Sequence, residues 1–461
     1  MRHVLIICVL IAAPAIGVAQ DATKKPHILF VLLDDLGYTD VGFNGGDIKT
    51  PTIDKLARSG ARLSAFYVQP VCSPTRAALM TGRYPMRHGL QVGVVRPWAQ
   101  YGLPLEERTL AQALRQVGYF TAIIGKWHLG HFQRAYLPTA RGFDHQYGHY
   151  NGALDYFTHL RDGGFDWHRN DQVCKDEGYT TTLLGDEAVR LIGKHDRRTP
   201  MFLYMAFNAP HTPLQALPEH LRLYDHVKDK TRQTYSAMVH AVDEQIARII
   251  TALEKQGMLE DTIIVFSSDN GGPIALGATN GILRGAKGSL YEGGVRAAAF
   301  VAGKGIPRGI DVREPLHMVD WYPTLITRAG GSLVQKLPLD GKNIWPVLAE
   351  GKKSPHEDIL LNVTPSNGAI RKGDWKLVLN GSAKDDPDGK KADKKAKKGD
   401  QIELFNLADD PSEKTNLAER ESQIVRDLRA RLDAYAKEAV APRAAPKGKD
   451  FLTPRVWGER D

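Results

Sequence analysis

The sequence predicts an α/β sandwich: a large, mostly parallel sheet flanked by helices, then a small antiparallel sheet with a helix packed on it. Three observations carry this reading. Uninterrupted apolar runs at 27–33, 120–124, 201–207 and 262–266 have strand length and the all-apolar character of strands buried on both faces. Between them lie segments of helical periodicity, and alternation of that kind builds parallel sheets with crossover helices. Beyond residue 350 the apolar runs become shorter and are separated by turn residues, the pattern of an antiparallel meander.

In chain order, strand 27–33 ends in Asp34-Asp35. A helix over 52–59 is closed by Gly60, and one over 109–117 by Gly118. Between these, Pro74 suits a helix first turn, residues 77–81 continue that helix, and Gly82 ends it. Strand 120–124 leads into Gly125-Lys126-Trp127-His128, and strand 201–207 into Asn208-Ala209-Pro210-His211. Helices occupy 182–193 and 231–256, the latter followed by Gly257. Strand 262–266 runs into Ser268-Asp269-Asn270, and a helix covers 317–330. Strands at 359–363, 368–371, 375–379 and 403–406 form the small sheet, and 413–438 contains the helix that packs on it. The domain layout is therefore a catalytic α/β domain over 24–350, a small α+β domain over 355–438, and an extended, Pro- and charge-rich tail over 439–461.

Residues 1–19 read as a secretory signal peptide. Arg2 supplies the positive start, 4–13 the apolar stretch and Gly17-Val18-Ala19 the small-residue cleavage site, with Gln20 as the alternative end. No apolar stretch has the length of a membrane span. The predicted destination is secreted or periplasmic. Cys8 leaves with the signal, so Cys72 and Cys174 remain, too few for a disulfide scaffold. A Cys72–Cys174 bridge is the alternative, and it would end any catalytic role for Cys72. The formal charge of +8 falls to +7 with the loss of Arg2. Part of that charge lies in a Lys-rich run within 384–400, which reads as a solvated loop. A basic chain attracts polyanions, and with no basic-aromatic nucleic-acid motif the better partner is a sulfated polysaccharide.

The chemistry sits at strand ends. Asp34-Asp35, Lys126 with His128, His211, and Asp269-Asn270 each follow the carboxyl end of a buried strand. In open α/β sheets ligands bind there, so these groups are expected to meet in one crevice. Asp34, Asp35, Asp269 and Asn270 offer hard oxygen donors, suited to Ca²⁺ or Mg²⁺ rather than zinc. Cys72 lies at or just before a helix N-terminus, with Arg76 one turn on, and positive surroundings of that kind predict a lowered thiol pKa.

Cys72-Ser73-Pro74-Thr75-Arg76 followed by Thr81-Gly82-Arg83 resembles the signature of the type I sulfatases. The likeness spans nearly the whole mature chain. It includes Leu283-Arg284-Gly285-Ala286-Lys287-Gly288 with Glu292-Gly293-Gly294, and in the last third Trp375-Lys376-Leu377 and Glu403-Leu404-Phe405-Asn406-Leu407. Gly125-Lys126-Trp127-His128-Leu129-Gly130, Arg141-Gly142-Phe143-Asp144 and Asp155-Tyr156 are similar to the arylsulfatase B (N-acetylgalactosamine-4-sulfatase) group. The resemblance implies an alkaline-phosphatase-like fold and conversion of Cys72 to formylglycine by a formylglycine-generating or sulfatase-maturating enzyme. The hydrate of that aldehyde would be the nucleophile. It implies Ca²⁺ as the ion, with the modified residue 72 among its ligands. It implies Asp35 as the base toward the attacking hydroxyl, and Arg76, Lys126 and Lys287 around the sulfuryl oxygens. His211 and Lys287 would serve the leaving oxygen, and His128 the release of sulfate. The expected substrate is a sulfated saccharide of galactose or N-acetylgalactosamine type, or an aryl sulfate. His149 and Asp155, in the aromatic stretch 147–156, are expected near the pocket mouth, with Trp98 as a second wall. Two rival readings are a phosphatase or phosphonate monoester hydrolase of the same superfamily, and a non-catalytic binder of sulfated glycans.

Overall fold

A computed structural model describes residues 24–381 and 401–459. The signal peptide expected over 1–19 and the Lys-rich segment 384–400 lie outside the described residues. Ten strands form the main sheet, and its five central strands run parallel. In spatial order these are Thr262–Ser268, His27–Leu33, Met201–Ala206, Phe120–Lys126 and His145–His149. The Ala299–Gly303 strand joins one side antiparallel, and His168–Arg169 the other.

Four of these strands are largely apolar on both faces because both faces are covered, while His145–His149 is buried but polar. Ile28, Phe30 and Leu32 point into a core built with the Cys72–Thr81, Leu110–Gln116 and Trp321–Arg328 helices. Leu29, Val31 and Leu33 point into a second core against the Pro51–Arg58, Thr180–Lys194 and Lys230–Lys255 helices. Register then aligns the strand ends. Leu33 lies beside Ser268, Leu32 beside Ala206, Ala206 beside Gly125, and Lys126 beside His149. The polar residues that follow must therefore emerge on one edge. At Gly125 (φ 116°) a Cβ would lie 1.9 Å from the Ala206 carbonyl oxygen, so only glycine lets these strands stay paired up to Lys126.

Some expected element ends differ. Ser59, not Gly60, closes the Pro51–Arg58 helix, and Gly60 instead allows close approach of the Val301 carbonyl. The 317–330 helix begins only at Trp321, because Leu316–His317 is a short strand paired with Phe66–Tyr67.

The small sheet is fully antiparallel, in the order Ile359–Val363, Gly368–Lys372, Trp375–Leu379, Ile402–Asn406, and the Ser422–Glu438 helix packs on it. Its other face joins the large-sheet domain through a third core. There Ile359, Leu361, Val378 and Phe405 meet Tyr67, Leu290 and Val295. A buried charge cluster crosses the same seam. Lys376 Nζ lies 2.9 Å from Glu292 and 2.8 Å from Glu413, and all three side chains are inaccessible to solvent or nearly so. Burial, reinforced by the Glu292 charge, holds the Glu413 carboxyl up to about 7. Replacing Lys376 by Met leaves two buried carboxyls facing one another, and it is expected to cost about 3–5 kcal/mol. The Glu413 carboxyl, without the Lys376 charge, then holds its proton still more tightly in the folded than in the unfolded chain, so stability falls as pH rises. Urea unfolding of Lys376→Met should show a larger loss at pH 8 than at pH 5.5.

Candidate active site

At the carboxyl edge of the sheet the separate strand ends meet in one buried charge network. Arg76 lies one turn into the Cys72–Thr81 helix and reaches across to Asp269, with Nε and Nη2 at 3.1 and 2.8 Å from Oδ2. Its Nη1–H donates to the Lys126 carbonyl at 3.1 Å. Lys126 Nζ pairs with Asp34 Oδ2 at 2.5 Å. Lys287 Nζ pairs with Asp35 at 2.7 and 2.8 Å, and His211 Nε2 lies 3.6 Å from the same carboxylate. The Asn270 amide donates to Asp35 Oδ1 at 2.8 Å, and the Asp35 N–H donates to Asp269 Oδ1 at 3.3 Å. Cys72 opens its helix beside this network, at 2% exposure.

Two non-glycine residues of the site hold the left-handed backbone conformation, Asp35 (φ 68°) and His128 (φ 58°). Each costs on the order of 1 kcal/mol and persists because its surroundings fix it. Asp35 is gripped by Lys287, Asn270 and its own N–H. His128 is held at both ends. Its carbonyl accepts the Ser73 hydroxyl at 2.9 Å, and its Nε2 lies 3.0 Å from the Val95 carbonyl. A carbonyl only accepts, so Nε2 carries the proton and Nδ1 keeps a free electron pair. Among the described residues Nδ1 is buried with no partner.

Charges tune these groups in opposite directions. Burial, then the Lys126 and Arg76 cations, drive His128 well below the usual histidine range. Burial and then Lys287 bring His211 down to about 3, so both imidazoles are neutral at pH 7. Burial would raise the Asp35 carboxyl, but Lys287, His211 and Asn270 hold it well below the carboxylate range. Asp269 is raised to about 6 by burial and by Asp34. Cys72 departs from expectation. The sequence places it at a helix N-terminus but does not show that the thiol is buried against Asp34, and burial with that charge pushes it up to about 12. It is no reactive thiolate as it stands. The Cys72–Cys174 bridge does not form, and both cysteines are free.

The donor set could hold a divalent cation. Asp34, Asp35, Cys72 and His211 each offer a ligand atom within 4.8 Å of the others. Asp34 Oδ1 and Asn270 Oδ1 are buried oxygens with no partner among the described residues. His211 joins this cluster although the sequence does not mark it as a ligand. Of the expected ligands, Asp269 stands differently, its Oδ2 already bound by Arg76.

The residues expected to set specificity have structural contacts of their own. His149 ends an inner strand beside Lys126, is fully buried, and stacks on Trp167 at 6.4 Å. Asp155 shapes its own loop, accepting the Phe157 and Thr158 N–H groups and the Gln215 amide. The neighbouring Tyr156 reaches the site, its hydroxyl lying 2.8 Å from both the Asn208 and the His211 carbonyls. Trp98 is half-buried and gives its indole N–H to Ala445, in the tail. Sequence reasoning missed Ser73, the Val95 carbonyl and Asn208. The Asn208 amide is buried and without a partner among the described residues, two positions after the strand that leads to His211. Ser73 and Val95 act through long-range contacts that no local pattern marks.

With the geometry in place, comparison with known proteins identifies what shares it. A family model described as Sulfatase matches residues 26–331. Mouse arylsulfatase J is 38% identical, covering 96% of this chain and 81% of its own. Human arylsulfatase A is 33% identical, covering 88% and 86%. Among solved structures, Ps i-CgsB in complex with k-i-k-neocarrahexaose superposes with a TM-score of 0.81 at 34% identity, covering 91% of this chain and 94% of the other.

The depth of Cys72 gives a direct expectation. In chain whose Cys72 is unmodified, iodoacetamide at pH 8 should label the half-buried Cys174 and spare Cys72, which becomes labelled only after denaturation. Peptide mass spectrometry before and after denaturation checks this.

Proposed function

The chain belongs to the type I sulfatase family and hydrolyses sulfate esters, and we propose that it does so through a formylglycine made from Cys72 and a Ca²⁺ ion held by Asp34, Asp35, Asp269 and Asn270. The single observation that carries the proposal is the pair of unpartnered buried oxygens, Asp34 Oδ1 and Asn270 Oδ1, beside Cys72 and among three cations. When bound, the ion supplies Lewis acidity toward the nucleophile and the sulfate oxygens, and the formylglycine hydrate supplies the nucleophile.

The chain's own residues divide the remaining work. Lys126 and Lys287 now neutralise Asp34 and Asp35. With Asp34 and Asp35 holding a divalent ion, Lys126 and Lys287 would be free to bind sulfate oxygens. Arg76 keeps its grip on Asp269 and the Lys126 carbonyl, so it fixes the frame while adding positive charge. Lys287 and His211 hold the leaving oxygen and supply the proton of the departing alcohol. His128, neutral and protonated at Nε2, accepts a proton at Nδ1 when sulfate departs. Asp35 takes the proton of the attacking hydroxyl, a role that rests on family resemblance.

The substrate we infer is a sulfated saccharide, of galactose or N-acetylgalactosamine type. A relative at 34% identity whose solved complex contains a carrageenan-type hexasaccharide supports that class. Export through the 1–19 signal to the periplasm or beyond accompanies this reading. Among the described residues no helix is long and apolar enough to cross a membrane. The burial of Cys72 also means that a maturation enzyme would meet the chain before it folds.

Mass spectrometry of active protein should find an aldehyde at residue 72, and Cys72→Ala should lose at least about 10³-fold in kcat/KM on an aryl sulfate. Full activity of Cys72→Ala overturns the proposal. Calcium titration should raise the melting temperature of the wild type, because an ion bound only by the native state stabilises it. Asp34→Asn should abolish that rise. A panel of position-defined sulfated saccharides tests the substrate class.

A further inference from the structure

The last twenty residues of the described chain do not trail into solvent. After the Ser422–Glu438 helix they cross the catalytic domain as a strap. Its first part is tied by the Val440 N–H to the Met86 carbonyl (2.9 Å) and by the Arg443 N–H to the Gly89 carbonyl (2.7 Å). The Gln91 amide returns a bond to the Val440 carbonyl at 2.8 Å, and the Trp98 indole N–H bonds to the Ala445 carbonyl at 2.9 Å. The far end is an anchor. Trp457 is 2% exposed in a segment otherwise rich in exposed residues. Its backbone pairs with Phe165 at 2.9 Å, its indole N–H bonds to the Arg161 carbonyl at 2.9 Å, and its ring meets His131 edge-on at 5.4 Å.

What the strap holds down is the segment 91–98, which contains neither helix nor strand to fix its own position. Val95 lies within it, and the Val95 carbonyl is the acceptor that sets the orientation and tautomer of His128. Both arms of the strap converge there. Gln91 and Trp98 bracket Val95 in sequence, and His131, backed by Trp457, lies 3.0 Å through Nε2 from the Pro97 carbonyl. The Val95 N–H also bonds to Ser73, whose hydroxyl bonds to the His128 carbonyl, so segment, helix and histidine close a ring of contacts.

We propose that the C-terminal strap is part of the catalytic apparatus and that Trp457 is a positioning residue, holding the Val95 carbonyl against His128 so that His128 keeps its Nδ1 free to accept a proton. The proposal rests on the role assigned to His128 above. An indirect support of this kind is worth on the order of 10-fold to 100-fold in rate, since orientation of a catalytic group is sensitive to displacements below 1 Å.

The test uses full-length matured protein, with Trp457→Ala, the conservative Trp457→Phe, and Leu452→Ser at an exposed strap position as control. On a small aryl sulfate, Trp457→Ala should lose on the order of 10-fold in kcat with KM within about twofold, and Trp457→Phe should recover most of it. In ¹⁵N-histidine spectra the protected His128 Nε2–H signal, assigned by its absence from His128→Gln, should be present in wild type and Trp457→Phe and lost in Trp457→Ala. Gln91→Met, which removes only the bond to Val440, should show the same changes in smaller degree and keeps the test usable if Trp457→Ala does not fold. An unchanged kcat, a loss confined to KM, or a kcat loss with the His128 signal intact overturns the proposal. Absence of sulfate release in the wild type would instead defeat the sulfatase reading, and the histidine spectra would still decide whether the strap holds His128.

Discussion

Everything at the carboxyl edge of the sheet depends on one constraint: three buried carboxylates, Asp34, Asp35 and Asp269, cannot stand together uncompensated. In the structure each has its own cation, Lys126, Lys287 and Arg76 respectively. The compensators arrive from three different parts of the chain, so the network also fixes how those parts sit. Arg76 orients the helix that begins with Cys72. Lys126 ends a strand whose path requires Gly125. Lys287 pulls a long loop across the top of the sheet. Because the carboxylates are held by groups that can also bind sulfate oxygens, the same residues can stabilise the resting protein and receive the substrate.

How far this was legible in the sequence follows from the range of each interaction. Apolar runs of strand length ending in Asp, Lys, His or Asn are local patterns, and the parallel sheet turns them into one site by register alone. The helix starting at Cys72 was equally local. The thiol's pKa was not, because it is set by burial and by Asp34, a residue 38 positions away in sequence. The depth of His149 was not legible for a related reason: no strand is read at 145–149 in the sequence, and its burial against Trp167 is a tertiary contact. The Glu292–Lys376–Glu413 cluster and the Trp457 anchor had no local signal beyond an aromatic in a tail whose composition otherwise disfavours burial. A single buried tryptophan of that kind is the mark by which such an anchor could be recognised.

The two regions outside the catalytic sheet take on meaning through the loops they touch. The small sheet meets the loop that carries Lys287. Tyr291 and Arg284 of that loop contact Glu403, the Glu292 N–H bonds to Glu413, and the Leu290 N–H bonds to the Gly381 carbonyl. The strap meets the segment that carries Val95. Lys287 and His128 therefore have the same architectural problem. Each belongs to, or is held by, irregular chain that no sheet or helix hydrogen bonds fix from within.

Irregular chain around a buried, charged crevice is costly to order, because each fixed residue loses on the order of 1 kcal/mol of backbone entropy. A catalytic loop can be ordered by the substrate at the moment of binding, or in advance by the fold. Here Glu292, Lys376 and Glu413 lock the Lys287 loop from one side, and Trp457 with Gln91 and Trp98 lock the Val95 segment from the other. Both locks are buried or half-buried contacts that bring in chain distant in sequence from what they hold. If Lys287 and His128 carry the proton transfers proposed above, the order they need is present before substrate arrives, and binding energy remains available for the sulfate ester itself. On this view the C-terminal quarter of the chain is what makes a sheet edge full of opposed charges into a site with fixed proton positions.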